Sequence, residues 1–76
     1  MQRLSPIKRA KFIQKLKKLG FQGPVSGAKH QFMIYKSYRL AIPSNKEYSV
    51  PQIKFMLKEI EDITNKKITI EIWNNL

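Results

Sequence analysis

The sequence predicts an α+β fold in which two helices lie on one face of a three-stranded antiparallel sheet, in the order α-β-β-β-α, followed by a short C-terminal extension. Three observations predict it. Residues 5–19 and 50–60 repeat apolar side chains at helical spacing. Between them lie short runs rich in aromatic and β-branched residues, broken by turn residues. Each helical segment also carries an apolar stripe too wide to leave in water, and a single sheet face covers both. With 76 residues the chain is read as one domain, 1–76, with a core at about 5–63 and an extension at 64–76. A chain of this size buries only about 60% of its unfolded surface, so any site on it is shallow and open.

The first helix is expected to start at Ser5 as N-cap, with Pro6 in the first helical position, where its missing N–H costs nothing. It runs to about Leu19, and Gly20 is placed for the left-handed position just past the end. Phe12, Ile13, Leu16 and Leu19 share one side, while Lys8, Lys11, Lys15 and Lys18 follow a neighbouring one at spacings of three and four. Phe21 to Val25 reads as a short strand, and Gly23-Pro24 marks it as an edge or a bend. His30 to Tyr35 and Tyr38 to Ile42 read as strands joined by a tight Lys36-Ser37 turn. Phe32 and Ile34 are the pair expected to face the core, and strict alternation puts His30 on their side. Pro43 ends that strand, and 44–47 reads as a loop. Ser49 with Gln52 is a capping-box pattern opening the second helix, whose Val50, Ile53, Met56, Leu57 and Ile60 share a face. In the tail, Ile68 to Trp73 alternates like a strand, yet Thr69 is equally placed to cap a short helix carrying Ile72, Trp73 and Leu76.

Charge narrows the function. Residues 1–46 hold eleven Lys or Arg and no acid, whereas 47–76 hold four basic and five acidic residues, so +11 and −1 make the net +10. An acid-free cationic block repels itself, and a polyanion is the partner that relieves this; a phosphate backbone is the commonest such partner. With no cysteine and one histidine, disulfides and thiolate or histidine zinc sites are not expected. No apolar signal segment or run of about 18 apolar residues is seen, so the expected location is the cytoplasm. Every acid lies after residue 46, which leaves no carboxylate pair suited to glycoside hydrolysis, and Gly20, Gly23 and Gly27 lack nucleotide-loop spacing.

His30 is the one side chain suited to proton transfer near neutrality. RNA cleavage needs little else: a base takes the 2′-hydroxyl proton, the oxygen attacks phosphorus, and an acid protonates the leaving 5′ oxygen. Neighbouring lysines neutralise the developing charge, and neither metal nor cofactor is required. Catalysis by His30 competes with the plainer reading of a structural histidine at a strand edge. A serine nucleophile would need His30 beside it together with an orienting acid, and Ser26 is the candidate for that partner.

The helix ending Lys17-Lys18-Leu19-Gly20-Phe21, then Gly27-Ala28-Lys29-His30-Gln31-Phe32, then a strand closing on Leu40-Ala41-Ile42-Pro43 and a helix from Ile53 to Ile60, resembles the HicA family of small toxins of bacterial and archaeal type II toxin–antitoxin systems. The resemblance covers about residues 5 to 63. It implies a fold like a double-stranded-RNA-binding domain and ribosome-independent cleavage of mRNA. It also implies that His30 is the catalytic group, with Gly27 as the motif glycine. The terminal segment is then a short helix, and a HicB-type antitoxin, partly acidic, holds the enzyme inactive. Lys29 and Gln31 stand where many members carry a second polar residue or histidine, and the loop after Pro43 lacks the further histidine common elsewhere. A second proton-transfer group would then be Lys29 or a water held at the 2′-hydroxyl. The expected RNA-gripping residues are Lys8, Lys11, Lys15, Lys18, Gly27, Lys29, Lys36 and Arg39, with no metal or membrane involved. A non-catalytic RNA-binding module of the same fold, or a basic face that docks an acidic protein, is the alternative.

Overall fold

The computed structural model describes residues 3–76. Its elements run β1 (Ile7–Lys8), α1 (Arg9–Lys18), β2 (Gln22–Ser26), β3 (Gln31–Tyr35), β4 (Tyr38–Ile42), β5 (Glu47–Tyr48), α2 (Val50–Thr64) and α3 (Ile70–Asn74). Strands β2-β3-β4 form an antiparallel sheet in that order, with α1 and α2 packed on one face, so the expected α-β-β-β-α architecture is present.

The start of α1 differs from expectation. Ser5 and Pro6 precede the helix, and Ile7 and Lys8 instead pair with Tyr48 and Glu47 in a two-stranded sheet, β1-β5. The Arg9 N–H continues this ladder, donating to the Lys46 carbonyl at 2.9 Å. A cap at Ser5 would satisfy a backbone donor locally; the strand pair satisfies several and seats fully buried Tyr48 against Phe12, ring centroids 5.1 Å apart. The stretch 44–47, expected to be a loop throughout, therefore ends in a strand. At its other end α1 stops as foreseen. Gly20 takes φ +106°, its N–H donates to the Lys17 carbonyl at 3.1 Å, and the Phe21 N–H donates to Leu16 at 3.0 Å. These two bonds make a Schellman motif, closed by apolar Leu16 and Phe21.

Phe12, Ile13 and Leu16 of α1 meet Ile53, Met56, Leu57 and Ile60 of α2 over the sheet. The sheet side chains beneath them are Met33, Leu40 and Ile42, none more than 2% exposed. Phe32 and Ile34, expected inward, lie half-buried on the opposite face. Register explains the exchange. The two-residue Lys36-Ser37 turn pairs Met33 with Leu40 and Gln31 with Ile42, and directly opposed residues share a face. With Leu40 and Ile42 inward, the odd-numbered residues of β3 must follow. Edge strand β2 shifts register between Gln22 and Val25, at Gly23-Pro24, as a strand interrupted by proline should.

The Ser49 hydroxyl accepts from the Gln52 N–H at 3.4 Å and caps α2. The reciprocal half of the box is not made, since the Gln52 amide reaches Asn45 Oδ1 at 3.3 Å. Thr69 caps α3, accepting from the Ile72 N–H at 3.1 Å, so the tail is a helix. Trp73 is 2% exposed and its ring lies 5.1 Å from that of Phe12, so the extension completes the core.

Candidate functional site

Residues 28–30 form a bend between β2 and β3, closed by the Gly27 N–H donating to the His30 carbonyl at 2.9 Å. A side chain at residue 27 would not fit. A Cβ there would stand 2.6 Å from the His30 carbonyl oxygen and closer still to the Phe32 ring. Gly27 thus sets the path of the backbone that carries His30, rather than contacting a ligand through a side chain. His30 is exposed and has the parity of Phe32, away from the core. The alternation that put it on the core side dissolves with the corrected register.

The bend borders a hollow of roughly 330 Å³ lined by Arg9, Ser26, Lys29, His30, Gln31 and Ser44. Arg9, the first residue of α1, is brought here by the β1-β5 pair. Its Nε donates to the Pro43 carbonyl at 3.2 Å and its Nη2 to Gln31 Oε1. The Tyr48 hydroxyl donates to that same Pro43 carbonyl at 2.7 Å, so the loop after β4 is held from two sides. Burial pushes the Tyr48 hydroxyl above its ordinary pKa, with the Arg9 charge pulling the other way. A guanidinium has five N–H donors, more than these two bonds use.

A second hollow, an apolar groove of roughly 580 Å³, runs from His30 between the end of β4 and the first turns of α2. Pro43, Pro51, Gln52, Phe55, Met56 and Glu59 line it, together with His30, Ala41 and Ile42, and Phe55 is 73% exposed. His30 borders both hollows.

The expected cationic surface is divided by the structure. Lys29 shares the hollow with His30. Lys8 is exposed and faces Glu47 across the β1-β5 pair, next to Arg9. Lys11 and Lys18 are exposed on α1, with Lys18 nine residues and roughly 14 Å along the helix from Arg9. Lys36 sits in the β3-β4 turn with Nζ 5.6 Å from the Tyr35 ring centre, at the end of the sheet away from His30. Arg39 lies on the open sheet face, its guanidinium 5.9 Å from the Phe32 ring centre.

Lys15 leaves the set. It is 8% exposed, its Nζ donates to the Trp73 carbonyl at 2.8 Å, and it lies 5.1 Å from the indole ring centre. Desolvation lowers its pKa, aided by the charges of Lys11 and Lys18. It binds the tail helix, where an ammonium suits the carbonyl-rich C-terminus, and is not presented to a ligand.

Arg9, Ser44 and, apart from His30, the groove residues were not singled out from the sequence as functional. Arg9 carried one available signal: a cation in the first turn of a helix works against the dipole, and no acid stands there to offset it. Among the described residues no cluster of three or more His, Cys, Asp or Glu is placed to hold a metal ion, and no helix is long and apolar enough to cross a membrane. Comparison with known proteins found no matching family model, curated relative or solved structure.

Proposed function

We propose that this protein is an RNA-cleaving enzyme of the HicA toxin type, acting on mRNA through His30 without a metal or cofactor. It works in the cytoplasm and is held inactive by a HicB-type antitoxin whose acidic surface covers the site. The observation that carries the reading is the exposed imidazole bordering a hollow that also holds Arg9 and Lys29. In the reaction His30 takes the 2′-hydroxyl proton and the 2′ oxygen attacks the adjacent phosphorus. The bond from phosphorus to the 5′ oxygen breaks, and that oxygen takes up a proton from the imidazolium, Lys29 or a water. The products are a 2′,3′-cyclic phosphate and a 5′-hydroxyl end. Arg9 and Lys29 supply positive charge where the phosphorane gains negative charge. Gln31 and Pro43 hold the guanidinium in place, so little reorganisation is needed.

The test is incubation of the purified protein with a single-stranded transcript in the presence of a chelator, beside His30→Ala. Wild type should yield cyclic-phosphate ends, and the variant should lose about 10²–10⁴-fold in rate with its unfolding midpoint unchanged. Retention of the RNA by both proteins without cleavage would leave a binding module of the same fold. Absence of both cleavage and salt-sensitive binding would favour a surface that docks an acidic protein.

A further inference from the structure

We infer that the apolar groove beside His30 takes a nucleobase of the cleaved RNA, with Phe55 as its stacking surface, so that the substrate must be unpaired at the scissile position. The inference rests on the function proposed above and specifies its substrate. The two hollows that meet at His30 differ in chemistry. One holds Arg9 and Lys29 with Ser26, Ser44 and Gln31. The other is walled by Pro43, Pro51, Phe55 and Met56 and carries an acid, Glu59. A phosphate fits the first and is repelled from the second; a neutral, flat, apolar group fits the second. In RNA those two pieces are joined by one ribose, the sugar whose 2′-hydroxyl a histidine between them would deprotonate.

Phe55 makes the groove more than a packing gap. It lies on α2 between Ile53 and Met56, which are 0% and 4% exposed, yet is itself 73% exposed. A large aromatic left in water contributes nothing to the core, and base stacking on such a ring is sequence-tolerant because every base has a π-face. On the groove wall the Glu59 carboxylate can accept from the edge of a seated base, while the Gln52 amide nitrogen is engaged by Asn45. A base paired in a duplex presents no free face, so a helical substrate reaches the cationic hollow but leaves the groove empty.

The experiment uses the full chain carrying His30→Ala, to stop cleavage, with phenylalanine, alanine or tryptophan at position 55. Each protein is titrated with an oligoribonucleotide containing 2-aminopurine, single-stranded or annealed to its complement. The single strand should be quenched by the Phe55→Trp protein, whose indole can donate an electron to the excited base, and Phe55→Ala should bind it 5- to 150-fold more weakly than Phe55 does. The duplex should bind without quenching and without regard to residue 55. Because the ring is exposed, the three unfolding midpoints should agree. Equal affinity with Phe55→Ala and no quenching by Phe55→Trp would overturn the inference and leave the proposed function standing. Self-association lost on Phe55→Ala while RNA binding is unchanged would do the same, assigning the groove to a second copy. Absence of any salt-sensitive binding to either RNA would overturn both.

Discussion

Lys15 and Lys29 belong to the same acid-free run of sequence, and the fold gives them opposite employment. Lys15 is folded inward by α1, its ammonium spent on the Trp73 carbonyl and the indole face. Lys29 rides a three-residue bend that has no core to join, and stands exposed beside His30. Charge counting treats the two alike. What separates them is whether the backbone beneath the side chain is packed against another element or bends around a hollow. The positive charge of this chain is therefore not one uniform patch. Part of it is buried against the tail helix, and the part that shares a hollow with His30, Lys29 with Arg9, has a concave surface to act in.

The inward role of Lys15 depends most heavily on Trp73. Trp73→Ala should cost about 3–5 kcal/mol by removing a buried indole from Phe12 and Lys15, and should lower the denaturant midpoint accordingly. A loss below about 1 kcal/mol would show the tail helix to be an appendage and Lys15 to be free. Next is Gly27→Ala, where the new methyl group meets the His30 backbone; a cost of about 1–3 kcal/mol is expected in thermal unfolding. Cleavage should fall further than RNA affinity, since the imidazole is displaced while Lys29 and Arg9 remain. A variant as active as wild type would remove Gly27 from any part in placing His30.

Lys15→Met should destabilise by about 1 kcal/mol at neutral pH while leaving RNA affinity and its salt dependence unchanged. The same variant reports on pH. Burial depresses the folded-state pKa of Lys15, so the unfolded chain binds more protons, and stability rises with pH between that lowered value and the ordinary lysine value of about 10.4. The variant lacks this rise, which appears as the difference between the two proteins; Tyr48, whose raised pKa makes stability fall above about pH 10, is common to both and cancels. Identical pH profiles would place Lys15 in solvent. The smallest effect belongs to Lys29→Ala. Its unfolding midpoint should not move, and the slope of log affinity against log salt for single-stranded RNA should fall by about 0.7. An unchanged slope would take Lys29 out of the phosphate contacts.

Much of the fold was legible because it follows from short-range rules. Gly20 ends a helix since few other residues accept its φ, and Ser49 and Thr69 are cap residues followed by apolar spacing. The inward face of β3 is encoded by the turn and not by the residues of β3 alone. A two-residue turn forces Met33 opposite Leu40, so the alternation in β4 already dictated the one in β3. The start of α1 was not legible in that way. Ser5-Pro6 is a sound local signal, and it lost to a strand pair with residues some forty positions away. For the site, His30 and Lys29 could be found because a lone histidine and a basic run are visible in one dimension.

The class of fold, the two helix faces, the caps and a cationic N-terminal half follow from spacing and from the chemistry of a few adjacent residues. Which cations serve the core and which border His30 depends on how the elements pack in three dimensions. The tertiary structure carried Arg9 to Pro43 and Gln31 through the β1-β5 pair, and it set Phe55 in a groove that His30 also borders. The reason is physical. Helical and strand periods say which side of an element faces the core, whereas the meeting of side chains from distant elements depends on register and packing angle, which no local window contains.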